Sequence, residues 1–143
     1  MRWTIALILY SLTAQQAAFG NDIELDIRAH NVRAFIANTP ESRERGLMRN
    51  TQLCANCGML FIFPQAKKHS FWMKDTPLPL SIAFIAADGT ILNIIEMQAN
   101  TTHSHSAQGN ALYALEMNKG WFTEHAIQPK DKVKGLQNLP PGL

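Results

Sequence analysis

The sequence has few cysteines, little net charge and a single long apolar run, and each shortage excludes a class of protein. Two cysteines cannot build a disulfide-rich scaffold or a four-cysteine zinc site. With 13 basic and 11 acidic side chains, the chain lacks the clustered positive charge typical of nucleic-acid binding. Phosphate-binding loops, dinucleotide-binding glycine motifs and the G-x-S-x-G motif are also absent. No complete catalytic constellation is visible, so we assign no catalytic residue and no cofactor.

The long apolar run lies at the amino terminus and predicts a signal peptide over residues 1–20. Arg2 supplies a positive charge, residues 3–12 are almost wholly apolar, and Ala18 and Gly20 are the small residues before the expected cleavage site. The run is short for a membrane span, and an uncleaved anchor or a buried helix is the alternative. We therefore expect an exported protein, periplasmic or secreted, whose residues 21–143 form one domain free of the membrane after cleavage.

The rest of the chain shows the patterns of short strands joined by turns. Apolar and charged side chains alternate over residues 23–28, as in a half-buried strand. Asp88-Gly89 is a strong hairpin signal between two further strands. The remaining predicted strands are 32–37, 59–63 (ended by Pro64), 70–73, 80–86, 90–97, 111–117 and a short one at Val133.

Helical signals are few. Thr39 and Pro40 predict a capped helix that runs to about Met48, and residues 121–126 predict a single helical turn. Residues 98–110 are polar and predict a long surface loop. Short strands with little helix indicate a mainly β fold, namely a compact antiparallel β-sandwich or barrel with one or two short helices.

Several segments resemble a known family in their order and spacing. The most specific is FWMKDTPLPL at residues 71–80, and the match extends from Ile23 to Leu136. The chain resembles the uncharacterised family catalogued as domain of unknown function 192, which implies a compact β domain, often exported, and no established activity. Two segments depart from the family pattern, the cysteine loop at residues 54–57 and the histidines at residues 103–105. The other matching segments are RERGLMR (43–49), GMLFIF (58–63), DGTI (88–91), ALE (114–116) with Gly120, and Ile127 with DKV (131–133).

Cys54 and Cys57 form a Cys-x-x-Cys pair, for which three interpretations stay open. In an exported protein such near neighbours are expected to close into a disulfide. A thioredoxin-like redox pair needs its first cysteine at a helix N-terminus, whereas here a glycine and a strand follow. The third interpretation is half of a zinc site, completed by the paired histidines His103 and His105, although the spacing does not match a zinc finger.

The methionines raise a second metal hypothesis. Thioether sulfurs are soft ligands that suit copper(I). Methionine also fills irregular gaps in apolar cores, so core packing is the competing interpretation. The methionines concerned are Met48, Met59, Met73, Met97 and Met117.

Residues 70–75 carry the most promising binding segment. Alternation along the strand separates Phe71 and Met73 from Trp72, and the prolines that follow hold Lys74 and Asp75 at the strand end. An aromatic ring beside a cation and a carboxylate can line a pocket for a small polar ligand. A core tryptophan with a surface ion pair is the alternative.

Glu116 is an acid within an apolar strand. If its side chain faces inward it needs a cationic partner, because an unpaired buried carboxylate is costly, and Arg49 and Lys74 are the candidates. An outward-facing Glu116 fits the alternation equally well. Glycoside cleavage needs a pair of carboxyl groups, for which Asp75, Glu96 and Glu116 are the candidates. Their spacing does not require them to come together.

We therefore expect a monomeric, non-enzymatic module that binds a small ligand or an exported protein partner, without a cofactor or nucleic acid. The alternatives are a protein that handles copper or zinc through Cys54, Cys57, His103 or His105, and an enzyme of hydrolase type. The candidate ligand-binding residues are Arg49, Trp72, Met73, Lys74, Asp75 and Glu116.

Overall fold

The computed structural model describes residues 21–143, so the predicted signal peptide at residues 1–20 lies outside the described residues. Within this part, short strands dominate and two short helices separate some of them. The helices are α1 (Pro40–Arg45) and α2 (Trp121–Glu124). The strands are β1 (Asp22–Ile27), β2 (His30–Ala37), β3 (Cys57–Lys67), β4 (Ser70–Phe71), β5 (Leu80–Ile85), β6 (Ile91–Met97), β7 (His105–Ser106), β8 (Ala111–Asn118) and β9 (Val133–Lys134).

Seven strands form one curled sheet in the order β6-β5-β8-β3-β2-β1-β9, and β4 pairs with β7 separately. Within residues 21–143 the named strands pair antiparallel except β2 and β3, which run parallel because α1 lies in the connection between them. Backbone hydrogen bonds tie the two edges of the sheet at one end, from Val133 to Gly89 and from Ile91 to Asp131, each 2.9 Å long. The sheet is therefore a half-barrel, and the predicted mainly β fold with short helices is confirmed.

Helix α1 begins where the sequence predicts and ends earlier. The Thr39 hydroxyl accepts a hydrogen bond from the Ser42 backbone N–H at 3.1 Å, and the Ser42 hydroxyl accepts one from the Thr39 N–H at 2.9 Å. The helix ends at Arg45 because Gly46 adopts a positive φ of 46°. The predicted end at Met48 is therefore wrong, and a turn occupies the residues after Gly46.

Two other predicted boundaries are wrong for identifiable reasons. Strand β3 does not end at Pro64, because its pairing with β8 is irregular between Ile62 and Lys67 and no ladder N–H is needed there. The predicted surface loop at residues 98–110 contains strand β7 and buries His105. The β4–β7 pair thus adds a small layer on one face of the main sheet.

The two faces of the half-barrel bury separate apolar clusters. We call the cluster inside the half-barrel the inner core, since it contains residues from both edge strands and is capped by the two aromatic residues that begin α2. The cluster on the other face, which includes residues of the turn after α1 and of the β4 and β7 region, is the outer core. No helix in residues 21–143 is long and apolar enough to cross a membrane. The inner core includes Leu25, Ile27, Val32, Leu60, Ala83, Ile91, Leu115, Trp121, Phe122 and Val133, and the outer core Leu47, Met59, Phe61, Met73, Ile82, Phe84, Met97 and Ala114.

Candidate functional site

Glu116 lies in the middle of the sheet, on the face that carries the outer core. Strand β8 is flanked by β3 and β5, and Glu116 is directly opposite Met59 on one side and Ile82 on the other. Cross-strand partners share a face, so the carboxyl group lies among apolar side chains, and only 4% of the residue is exposed. Gly58 permits the close approach of β3, because a Cβ there would lie 2.5 Å from the Glu116 carbonyl oxygen.

The Glu116 carboxyl group has no partner in the part of the chain that the structure describes. Among residues 21–143 it makes no hydrogen bond and no salt bridge, so the predicted pairing with Arg49 or Lys74 is wrong. Burial raises the pKa of Glu116 to about 8. A proton therefore takes the place of the expected cation, since a neutral carboxyl group is far cheaper to bury than an ionised one.

Glu116 contributes to a cavity of about 250 Å³, which we call the deep cavity. The cavity lies between the outer face of the sheet and the layer formed by α1, the turn after it and β4. Its walls combine four aromatic residues with four ionisable ones, and Phe71 packs edge to face against Phe61 with ring centroids 4.8 Å apart. Its lining consists of residues 43–48 with Phe61, Phe63, Ser70, Phe71, Trp72, Thr76 and Glu116.

A second cavity of about 380 Å³ adjoins the first, and we call it the rim cavity. It shares Glu44, Arg45, Met48 and Trp72 with the deep cavity. Half of the Trp72 surface is exposed, so the alternative of a core tryptophan is wrong. Its remaining lining residues are Glu41, Arg49, Lys74 and Asp75.

The wall of the rim cavity has an unusual backbone. Arg49 and Asp75 are not glycines, yet both adopt left-handed conformations, with φ of 62° and 51°. The Arg49 N–H donates a 2.8 Å hydrogen bond to the Asp75 carbonyl oxygen, so the two residues hold each other in place. Such conformations cost free energy. They also occur in turns elsewhere in residues 21–143, for example at Arg28 and Ala29, so what sets Arg49 and Asp75 apart is the hydrogen bond between them.

The loop that carries Trp72 is held by a hydrogen bond to a neighbouring segment and by one within the loop itself. The Met73 N–H donates to the Thr101 carbonyl oxygen at 2.9 Å, and the Thr76 hydroxyl donates to the Lys74 carbonyl oxygen at 2.9 Å. The Lys74 ammonium lies 5.4 Å from the centre of the Trp72 ring, within the range of a cation–π interaction. Trp72 is therefore an exposed aromatic ring on a constrained loop.

The structure divides the predicted ligand-binding residues among three places. Trp72 lines both cavities, Glu116 lines the deep one, and Arg49, Lys74 and Asp75 line the rim cavity. Met73 lines neither cavity, because its side chain is buried in the outer core.

Sequence reasoning missed the contribution of α1 and the turn after it. Arg43, Glu44, Arg45 and Met48 line one or both cavities. A signal for them was available, since PESRER offers no apolar side chain to a core, and a helix without an apolar stripe must cover something other than the core. The Arg43 guanidinium is already committed to structure, donating to the carbonyl oxygens of Asn38 at 2.8 Å and Ile62 at 2.9 Å.

Cys54 and Cys57 form a disulfide with a Cα–Cα distance of 5.0 Å. The Asn118 side-chain amide donates to the Cys54 carbonyl oxygen at 3.0 Å, and the Asn56 side chain in the same loop accepts from the Trp121 indole N–H at 3.0 Å. The disulfide thus belongs to a loop that supports the aromatic cap of the inner core. Sulfurs joined in this way are not thiolate ligands for zinc.

The paired histidines lie away from that loop, on and beside β7. The rings of His103 and His105 are 4.5 Å apart, and strand β7 pairs with β4. The Nε2 atom of His105 is buried without a hydrogen-bond partner, and burial, with a smaller contribution from His103, lowers the pKa of His105. Within residues 21–143, no group of three or more His, Cys, Asp or Glu side chains could hold a metal ion.

The five methionines of the copper hypothesis do not come together. Met59, Met73 and Met97 pack in the outer core, Met117 packs in the inner core, and Met48 lines the cavities. Most of these sulfurs therefore fill apolar space.

Comparisons with known proteins place this arrangement in a wider group. The family model DUF192, described as "Uncharacterized ACR", matches residues 23–135. A proposed transcription regulator from Sinorhizobium meliloti 1021 has a similar crystal structure, with 29% identity and a TM-score of 0.76, over 84% of this chain and 97% of that one. A protein of unknown function from Novosphingobium aromaticivorans DSM 12444 shows 28% identity and a TM-score of 0.73, over 79% of this chain and 83% of that one. A comparison with curated proteins gives no match.

Proposed function

The chain belongs to the DUF192 family, whose activity is not established, and we propose from its site that it is an exported, non-enzymatic module that binds a small ligand around Trp72. One observation carries this proposal: Glu116 is 4% exposed, has no hydrogen-bond partner among residues 21–143 and lines a cavity. A buried polar group that lacks a hydrogen bond costs stability. A ligand that supplies the missing hydrogen bond recovers that free energy on binding.

The deep cavity indicates what such a ligand looks like. A volume of about 250 Å³ lies just below the usual range of ligand pockets, so the bound group is small. The rings of Phe61, Phe71 and Trp72 favour a flat apolar body. A protonated Glu116 carboxyl group both donates and accepts, so it favours an uncharged hydrogen-bonding group such as a hydroxyl or an amide.

Binding of p-cresol to the purified protein at pH 6, measured by NMR titration, tests the proposal. This probe combines a flat apolar ring with one hydroxyl, and toluene is the matched probe without the hydroxyl. We expect p-cresol to shift the Trp72 indole resonance and to bind at least about ten-fold more tightly than toluene, because a recovered hydrogen bond contributes about 1 kcal/mol or more.

Two variants locate the effect. Glu116→Leu should remove the preference for p-cresol over toluene, whereas Glu96→Gln, which changes an exposed carboxyl group on β6, should preserve it. If p-cresol leaves the Trp72 resonance unchanged, and native mass spectrometry of the purified protein finds no retained small molecule, the binding proposal is wrong.

A second candidate function has one specific observation in its favour. Glu44 lines the same deep cavity as Glu116, so an exposed carboxylate and a protonated carboxyl group face one cavity. Hydrolases that use two carboxyl groups need this combination of one proton donor and one base. Turnover of nitrophenyl glycosides that is lost in both Glu44→Gln and Glu116→Gln would replace the binding proposal with an enzymatic one.

Export is the other part of the proposal. The disulfide between Cys54 and Cys57 is compatible with an oxidising compartment, and residues 1–20 have the pattern of a signal peptide. N-terminal sequencing of protein recovered outside the cytoplasm should begin at Asn21, and a sequence beginning at Met1 would contradict cleavage. That the domain is a monomer that binds neither nucleic acid nor membrane stays a prediction.

A further inference from the structure

The rim cavity is surrounded by charged side chains of both signs that leave each other unpaired. Three are cationic and three are anionic. The salt bridges of the described residues lie elsewhere, between Arg28 and Asp131, Arg33 and Asp22, and Lys132 and Asp88. The six rim charges are Arg45, Arg49 and Lys74 against Glu41, Glu44 and Asp75.

These charges are distributed so that unlike signs occur on both sides of the cavity. Helix α1 contributes Glu44 beside Arg45, and the loop after β4 contributes Lys74 beside Asp75. A cavity of one sign selects a ligand of the opposite net charge, whereas a cavity with both signs complements a ligand that carries an anion and a cation together. The rim cavity therefore fits a zwitterion.

The left-handed backbone at the rim also supports a zwitterionic ligand. Arg49 and Asp75 carry opposite charges, and a backbone hydrogen bond joins them while both adopt left-handed conformations. Their side chains therefore start from two fixed points a few ångströms apart. Both side chains are exposed, and the backbone bond keeps one cation and one anion side by side at the rim, where a small zwitterion needs both within reach.

The deep cavity can hold the other half of the ligand. It adjoins the rim cavity at Trp72, and its aromatic rings and buried Glu116 suit a group with an apolar body and a hydrogen-bonding end, while Arg43, Glu44 and Arg45 also line it. In an α-amino acid, the ammonium and the carboxylate share one carbon with such a group. Its charged end belongs at the rim and its side chain in the deep cavity.

We propose that the ligand is a free α-amino acid, with its ammonium and carboxylate between the unlike charges of the rim cavity and an uncharged side chain in the deep cavity against Glu116. This inference rests on the proposed function, because it names the class of small ligand that the same site binds.

Isothermal titration calorimetry at pH 6 with four probes tests the inference. L-tyrosine carries the zwitterion and ends in the phenol ring of p-cresol, N-acetyl-L-tyrosine lacks the ammonium, and L-tyrosinamide lacks the carboxylate. We expect L-tyrosine to bind at least about ten-fold more tightly than p-cresol and than either derivative, because hydrogen bonds to charged groups contribute about 1.5–3 kcal/mol each.

Rim variants locate the effect. Asp75→Asn keeps a side chain that tolerates the left-handed backbone and should weaken L-tyrosine binding about ten-fold. Arg49→Gln should act in the same way on the carboxylate. The matched controls are Glu124→Gln on α2 and Lys134→Gln on β9, which are exposed and distant from both cavities.

The outcomes separate this inference from the function on which it rests. If p-cresol binds and L-tyrosine binds no more tightly, or if the two derivatives bind as tightly as L-tyrosine, the inference is wrong and the binding function stands. If neither p-cresol nor L-tyrosine binds, both are wrong. Equal loss of L-tyrosine binding in the rim and control variants would also overturn the assignment to the rim.

Discussion

The inner and outer cores of this half-barrel bury similar apolar side chains and treat polar groups differently. In the inner core, the Trp121 indole N–H donates to Asn56 at 3.0 Å, and the Ser81 hydroxyl accepts from the Gly120 N–H at 2.9 Å. On the outer side, Glu116 and the buried Nε2 atom of His105 have no hydrogen-bond partner among residues 21–143. Buried polar groups are usually satisfied, and the two exceptions just named lie on the outer side, although Thr76 and Asn93 there do have partners.

The two tryptophans outside the predicted signal peptide show the same contrast. Trp121 is 3% exposed, is stacked on His125 with ring centroids 4.3 Å apart and caps the inner core. Trp72 is 50% exposed beside two cavities. A protein that filled both cores for stability would bury both rings, since each offers a large apolar area. Exposure on one face only supports the proposal that a ligand binds on the outer side.

The largest expected effect separates the two tryptophans. Trp121→Ala should lower the free energy of unfolding by about 3–5 kcal/mol, because it leaves a large cavity and removes the partner of Asn56. Trp72→Ala should cost clearly less, about 1–2 kcal/mol, since half of the ring is already exposed. Urea denaturation of the two variants measures both values, and a Trp72→Ala cost as large as that of Trp121→Ala would show that the two faces do not differ.

The second effect concerns the proton on Glu116. With a pKa near 4.5 in the unfolded chain and about 8 in the folded one, this group takes up a proton on folding between these values. The contribution of Glu116 to the free energy of unfolding is therefore largest below pH 4.5 and falls as the pH rises towards 8. The Glu116→Gln substitution removes this dependence. Relative to wild type, the free energy of unfolding of the variant should therefore rise by about 3–4 kcal/mol between pH 5 and pH 8.5.

Denaturation at several pH values tests the assignment to Glu116. Subtracting the free energy of unfolding of wild type from that of the variant cancels the titration of the other groups. One of these is Asp88, whose pKa is lowered to about 2 chiefly by its hydrogen bonds with Thr90. Glu96→Gln, on the exposed surface of β6, should follow the wild-type curve. A Glu116→Gln difference that stays constant from pH 5 to pH 8.5 would show that the carboxyl group is ionised and paired.

Local patterns in the sequence predict most of the fold. Alternation identifies β1, Asp-Gly identifies the hairpin between β5 and β6, and Thr39 with Pro40 identifies the start of α1. Strand β3 runs past Pro64, because its pairing with β8, a strand distant in the sequence, is irregular at that point and needs no N–H there. That irregularity is a tertiary feature, which no local pattern contains.

The site was less predictable, for a physical reason of the same kind. Trp72, Lys74, Asp75 and Glu116 stand out because each is an unusual residue in its own segment. Whether Glu116 pairs with a cation or keeps a proton depends on which side chains the fold places opposite it, and these turned out to be apolar. The contribution of α1 likewise depends on how the parallel pairing of β2 and β3 sets that helix over the outer core.

The smallest of these effects tests whether the two faces are independent. Cys54→Ser combined with Cys57→Ala should lower the free energy of unfolding by about 2 kcal/mol, since the bridge closes a short loop. That loop supplies Asn56 to Trp121, so the fluorescence of the inner-core cap should change with the loss of the bridge. Affinity for p-cresol should stay at its wild-type value, because the cysteines line neither cavity. A parallel loss of ligand affinity would mean that the loop also holds the outer side in shape, and the division into a stabilising face and a binding face would then fail at this end of β8.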